Sequence, residues 1–427
     1  MEVLRGRPGA RTARHGAPRK APGRVSALAL ALAMAAGPAL CGPTTAHADD
    51  IRDREQWVLD AVSAGKAWKV TRGKGVTVAV LDTGVDGSHP DLAGAVTTGP
   101  DLIHSVAPHP GRLHGTWMSS LIAGHGHGSG DGMIGIAPES HVLSVRTIAD
   151  PDEPGYKTFR DRPEYRASLA KAIRYAADHG ADVINMSLGG PNASEPERSA
   201  VAHAIAKGVV VVASAGNDGD SKSPKKVDRN GIVRLSYPAA FPGVIGVAAV
   251  DRHGTPAGFS DRNASVLVAA PGTGVVGAGP GDSYWVGEGT SQAGAIVSGV
   301  AALIRAKYPD MAPALVAQAI STSASHRPSG GWDELVGFGE VNANAALAAA
   351  GKLSGYHDVA AGRPGRFDSA PVDPVQVERH PPGLIFLGGW IGVAALFGLA
   401  GALITTTMLI LRIRGRGNAD AEAGQGE

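Results

Sequence analysis

Three short segments of this chain each carry a residue type able to move a proton or attack a carbonyl. VAVLDTGVDGSHPDL contains Asp82, LHGTWMSSLIAG contains His114, and GEGTSQAGAIVSGVAALI contains Ser291. A serine hydroxyl is a weak nucleophile until an imidazole takes its proton. The imidazole in turn needs a carboxylate to fix its tautomer and stabilise its charged form. An acid, a base and a hydroxyl, all in Gly- and Ala-rich surroundings, form such a set. Singly they say less. Asp-Thr-Gly is also the loop of an aspartic protease, but that chemistry pairs two carboxylates and the chain has one such loop, at 82–84. A lone His-Gly-Thr is usually a turn, and Gly-Thr-Ser is common.

The elements that must position these residues alternate between strand and helix. Val76–Asp82, His141–Thr147, Asp182–Leu188, Val209–Ser214, Val244–Val250 and Val266–Ala270 are short β-rich runs. Most are continuously apolar, as strands covered on both faces are. Ser168–His179 and Glu197–Lys207 have helical patterns closed by Gly180 and Gly208, and Gln292–Tyr308 is a long small-residue helix stopping before Pro309. This order predicts an α/β fold, a parallel sheet with helices on both faces. Ligands of such sheets gather at the carboxyl ends of strands, where Asp82 and Asn217 fall. Residues 150–166 and 221–234 are polar and charged, and read as surface loops, with bordering a substrate groove as the alternative for either.

With these motifs in order, residues 56–350 resemble a subtilisin-type serine protease. The resemblance also rests on VINMSLGG (183–190), VVVVASAGN (209–217), YPAAFPGVIGVAAVD (237–251), VAAPG (268–272) and GFGEVNANAAL (337–347). It implies the subtilisin-like fold, with Ser291 as nucleophile, His114 as general base and then acid, and Asp82 orienting His114. It implies Asn217 as the oxyanion-hole amide, and Ser187, Leu188, Gly189 and Gly190 as the segment pairing with an extended substrate. Two departures stand out. Trp117 replaces the usual second histidine after His114, and Ala295–Ile296 replace a proline and a large residue, removing one constraint at the start of the serine's helix. The Asn-rich calcium loop common in subtilisins is missing. His125 and His127 have only Asp131 nearby in sequence, so no metal is expected, and no cofactor.

Net charge is +1, which calls for neither nucleic acid nor a strongly acidic partner. The ends point to a membrane. Arg5, Arg7, Arg11, Arg14, Arg19, Lys20 and Arg24 precede an uncharged apolar run, Val25–Leu40, and Ala46-His47-Ala48 has a cleavage pattern. Residues 1–48 therefore read as a signal peptide, with a retained anchor helix as the alternative. Cys41, the single cysteine, lies inside it, leaving the mature chain without disulfides. The protease domain is expected over 49–350 and a Pro-rich linker over 351–382. Residues 383–411 lack Asp, Glu, Lys, Arg and His and read as one C-terminal transmembrane helix. The basic tail, 412–427, belongs on the cytoplasmic side, which leaves the protease domain extracytoplasmic. Little sequence remains after residue 48 for a folded inhibitory pro-domain. This architecture resembles the mycosins, membrane-anchored subtilisins of type VII secretion, and implies a protein or peptide substrate and association with a secretion membrane complex. The cysteine-free mature chain departs from that group, which often carries disulfides. Two alternatives remain, a scaffold subunit with dispensable proteolysis and a general scavenging protease.

Overall fold

The computed structural model describes residues 2–5, 49–128, 130–161, 167–356 and 396–412. The chain divides into two units, 1–358 and 359–427. The first begins with β1 (Glu2–Arg5), α1 (Asp49–Ala61) and α2 (Ala64–Ala67). Then come β2 (Thr77–Asp82), β3 (Val96–Asp101), α3 (Leu113–Ala123), β4 (His125–His127), β5 (Asp131–Ile134) and β6 (His141–Arg146). α4 (Tyr156–Asp161), α5 (Ala167–Asp178), β7 (Val183–Met186), α6 (Glu195–Ala206), β8 (Val210–Ser214), β9 (Ile245–Val250) and β10 (Val266–Pro271) follow. The unit closes with β11 (Val275–Ala278), β12 (Ser283–Gly287), α7 (Thr290–Lys307), α8 (Pro313–Thr322) and α9 (Ala343–Leu353).

Seven strands form one sheet in the order β10-β9-β8-β7-β2-β6-β3, and every neighbouring pair is parallel. Successive strand residues point to opposite faces, and β2 shows the result. Val78 and Val80 join a core with α7, α8 and α9, whereas Ala79 and Leu81 join a second core with α5 and α6. Both faces are covered, so the strands need no polar side, which explains their continuous apolar runs. After β2 the chain first builds β3 and β6 on one side, then returns to build β7 to β10 on the other. The carboxyl ends of β2 and β7 therefore flank the point where the direction of winding reverses.

The six expected strands and three expected helices are present, with ends shifted by a residue or two. The sequence reading left out β3, whose VTTGPD is largely polar, and the β11–β12 hairpin. α3 also has no counterpart among the expected elements, since a His-Gly-Thr start carries no helical pattern. The expected helix after the serine is α7, buried from Thr290 through Ile304. Glycine at its tightest contacts permits that. A Cβ on Gly299 would lie 2.6 Å from Ile136. Trp117 of α3 lies against the hairpin, and a Cβ on Gly277 would overlap its indole at 1.9 Å. Residues 2–5 of the expected signal peptide are paired antiparallel with β12; its apolar run lies outside the described residues. α9 runs three residues past the expected domain end, and the linker from residue 357 onward lies outside the described residues. In the second unit residues 396–412 are helical. Among the described residues no helix is long and apolar enough to cross a membrane, and residues 383–395 of the expected span lie outside them.

Glu55 on α1 fastens that helix to β5. Both its oxygens accept from Ile134 N–H at 2.9 Å, and Arg52 lies 3.3 Å away. Burial outweighs the pull of that N–H and of Arg52 and, with Asp91 adding to it, lifts the Glu55 pKa from 4.5 to about 8. The folded chain thus holds a proton that the unfolded chain releases above 4.5, and this contribution to stability is lost as pH rises from 4.5 to about 8. Glu55→Gln keeps the acceptor for Ile134. Its melting temperature should exceed the wild type's by a margin that widens from pH 5 to pH 8, as scanning calorimetry would show.

Candidate active site

Asp82 ends β2 and is fully buried. Its Oδ1 accepts from Thr83 N–H at 2.7 Å and faces His114 Nδ1 at 2.8 Å, with Oδ2 at 3.0 Å from the same nitrogen. A carboxylate against Nδ1 assigns that nitrogen the proton, leaving Nε2 as the acceptor. His114 stands in the first turn of α3, held by local packing. Gly115 N–H donates to Thr83 Oγ1 at 3.0 Å, and a Cβ on Gly115 would sit 2.1 Å from Gly84 O. Only glycine fits there, which accounts for His-Gly in the motif.

Ser291 is the second residue of α7. A helix N-terminus favours negative charge developing beside it. Ser291 Oγ donates to Ser187 O at 3.3 Å. It shares a cavity of about 610 Å³ with His114, Asn217 and Gln292. A second cavity, about 560 Å³, is lined by Ser187–Gly190, Ser214, Asn217 and again Ser291. Serine and asparagine thus stand where the two cavities meet. Asn217 Oδ1 accepts from both Thr290 N–H and Thr290 Oγ1 at 2.9 Å. That fixes the amide and leaves its NH₂ for the cleft. A point at the missing Cβ of Gly289 is 3.6 Å from Asn217 Nδ2 and 3.7 Å from Ser291 N, so both donors border one small space. A base, a hydroxyl and two convergent donors can perform acyl transfer.

Residues 73–339 match the family model described as the subtilase family. The chain belongs to the subtilase family. Fervidolysin from Fervidobacterium pennivorans is 33% identical over 69% of this chain, but the match spans only 44% of fervidolysin. Mycosin-4 from Mycobacterium tuberculosis is 33% identical, with 72% of each chain covered. Among solved structures, the MycP3 protease from the type VII (ESX-3) secretion system superposes with a TM-score of 0.57 at 33% identity, covering 68% of this chain and 87% of that one. The subtilisin-like fold and a serine protease of mycosin-like architecture follow from these matches.

In this subtilase, Ser291 and the helix that carries it are held by buried polar groups outside the recognised motifs. Ser298 Oγ, about two turns along α7, donates to Asn185 Oδ1 at 2.9 Å. Asn185 Nδ2 donates to Ser187 Oγ at 3.1 Å, and Ser187 Oγ donates to Ser291 O at 3.0 Å. Asn185 and Ser298 are fully buried, and a polar residue amid VINM was the one available signal. Ser187 therefore turns its side chain inward, while Leu188, Gly189 and Gly190 border the second cavity. The start of α7, lacking the family's proline, is tied instead by Thr290 to Asn217 and by Gly216 N–H to Thr290 Oγ1 at 3.2 Å. Ala295 and Ile296 are fully buried. Trp117 occupies part of the first cavity's wall. His125 and His127 do not converge: His127 Nδ1 pairs with Asp91 at 2.6 Å, while His125 Nδ1 lies against Gly126 O at 2.7 Å. No metal-binding group of three or more such residues occurs among the described residues.

The two stretches read as surface loops both reach the cleft. Lys225, Lys226 and Arg234 line the second cavity. Asp150 and Glu153 are buried and grip the turn before His114, with Asp150 Oδ2 accepting from Leu113 N–H at 3.1 Å and Glu153 Oε1 from Gly111 N–H at 2.9 Å. Arg146, itself buried, pairs with Glu153 and with Asp101. The buried guanidinium thus gives the buried Glu153 carboxylate an opposite charge. Burial lowers the His114 pKa, but the charge and hydrogen bond of Asp82, with Asp150 adding, carry it above its ordinary 6.5. Only the neutral imidazole can take the serine proton, so activity should rise as pH passes through that raised value. Asp150→Asn keeps an acceptor for Leu113 yet removes a charge that favours the imidazolium. The acid limb of its kcat/KM profile should move to lower pH relative to wild type.

Proposed function

We propose that this subtilase is a membrane-anchored extracytoplasmic endopeptidase that cleaves an exported protein within a type VII secretion apparatus. The observation that carries the catalytic part is His114, paired with Asp82, sharing one cavity with Ser291 and Asn217. In this reading an extended substrate lies along Leu188–Gly190, with its scissile carbonyl at the junction of the two cavities. Ser291 Oγ swings from Ser187 O toward His114 Nε2, loses its proton to that nitrogen and attacks the carbonyl carbon. The oxygen, now negative, takes hydrogen bonds from Asn217 Nδ2 and Ser291 N–H. His114 then gives the proton to the leaving amine, and the acyl-enzyme forms. Water, deprotonated by the same imidazole, releases the second product.

The cellular part rests on the two ends of the chain and on the likeness to mycosin-4 and the MycP3 protease. Signal peptide 1–48, linker 351–382, membrane helix 383–411 and cytoplasmic tail 412–427 complete the proposal. Proteolysis and scaffolding are separable. Secretion that survives Ser291→Ala but not deletion of the chain would favour a scaffold subunit.

Two outcomes test the chemistry. Wild-type protein should be labelled by a fluorophosphonate and Ser291→Ala should not; an unlabelled, folded wild type would refute the nucleophile. Asn217→Ala should lower kcat about 10²–10³-fold with little change in KM, the size of effect that loss of one such donor has in a subtilisin.

A further inference from the structure

Thr290 fixes the Asn217 amide at its oxygen end. The backbone that carries this side chain is held by a different residue, Asp261, in the segment between β9 and β10. The Asp261 N–H donates to Gly216 O at 2.9 Å, and its Oδ1 accepts from Asp218 N–H at 2.5 Å. These two bonds grip the residues immediately before and after Asn217. Gly219 N–H donates to Phe259 O at 2.8 Å and extends the join. The other carboxyl oxygen, Oδ2, packs on Gly216, where an added Cβ would lie 2.2 Å from it. Gly216 also has a φ of +118°, which residues with side chains rarely adopt, so glycine alone lets the loop come this close.

Asp261 is 3% exposed, and its neighbours anchor it to the sheet. Ser260 Oγ accepts from Ala249 N–H of β9 at 3.0 Å, and Arg262 O accepts from Val233 N–H at 3.0 Å. Burial raises the Asp261 pKa from 3.8 to about 7 against the pull of Asp218 N–H, with the Asp218 charge adding and Lys226 opposing. Such a group is costly in a packed core, and carboxyls perturbed in this way gather at functional sites.

From this bracketing we infer that Asp261 is a positioning residue for the oxyanion hole, acting through the backbone on either side of Asn217. The inference rests on the serine-protease reading of this site. Thr290 sets the amide relative to α7, and Asp261 sets the loop relative to β9, so the donor is fixed from two sides. A donor already in place needs no reordering as the carbonyl oxygen becomes negative. With the loop loosened that ordering falls in the transition state, and the loss belongs in kcat rather than KM. Asp261 also borders the second cavity, so a contact with substrate would show in KM instead.

The test uses the full-length chain in detergent and a fluorogenic peptide. Asp261→Ala removes the acceptor, while Asp261→Asn keeps an oxygen for Asp218 N–H. In Asp261→Ala kcat should fall about ten-fold with KM nearly unchanged, and Asp261→Asn should stay within about three-fold of wild type. The deciding measurement repeats Asp261→Ala in an Asn217→Ala background. There it should cost less than about two-fold, because the donor it positions is already gone. An equal loss in both backgrounds, a loss confined to KM, Asp261→Ala matching wild type, or Asp261→Asn as slow as Asp261→Ala each overturns the role of Asp261 alone. Should Asp261→Ala fail to fold, the crystal structure of a wild-type peptide-aldehyde adduct decides. Both Asp261 bonds intact with Asn217 Nδ2 on the adduct oxygen supports the assignment; either bond broken, or Asn217 turned away, overturns it. A wild type that neither hydrolyses peptides nor takes up the fluorophosphonate overturns the reading beneath it as well.

Discussion

The site depends on a helix buried along most of its length. α7 cannot be solvated on any side until its last turn, so every group it presents must find a partner in the protein. Its small residues let the sheet and α3 close around it, and the cost of a single added methylene in so tight a core is about 1–3 kcal/mol. The reward is positional. Ser298 and Asn185 hold α7 against β7, and Ser187 passes that constraint to the Ser291 carbonyl. The Ser291 backbone is thus fixed by buried hydrogen bonds, while its hydroxyl makes only a long bond to Ser187 O.

A second constraint is electrostatic. The cleft gathers carboxylates around one imidazole, and burial alone would favour the neutral base. Asp82 reverses that, since a buried carboxylate in direct contact is screened far less than a surface one. Asp150 adds to it from the turn that precedes His114. Its own pKa is raised by burial and by Asp82, so it resists ionising in the field it helps create. Arg146 limits the cost by neutralising Glu153 and Asp101 nearby. The base and the turn that carries it are therefore tuned by one connected group of charges.

Much of this was legible in the sequence, for a physical reason. Strands covered on both faces must be apolar throughout, so Val209–Ser214 and Val244–Val250 announced themselves. Glycines forced by contact, such as Gly115, sit inside motifs and made the acid, base and hydroxyl segments recognisable. What escaped were elements whose sequence does not carry their environment. β3 is an edge strand with polar residues, and α3 begins at a His-Gly pair that reads as a turn. Asp150 and Glu153 look like any charged loop until Arg146, buried beneath them, is in view. Asn185 and Ser298 are more than a hundred residues apart, and nothing local says they meet.

The resting hydroxyl faces Ser187 O, and the magnitudes show why that is compatible with attack. A neutral hydrogen bond of 3.3 Å is long, and a typical one is worth about 0.5–1.5 kcal/mol net. Loss of one oxyanion donor costs about 2.7–4 kcal/mol in the transition state. In the proposed mechanism, turning Oγ toward His114 gives up less than the oxyanion space returns, and serine needs only rotation about one bond because its backbone is already fixed. The same comparison explains why the structure fastens Thr290 to Asn217 so firmly. A donor that drifted would have to be reordered during the reaction, and the advantage of a preorganised site would go with it.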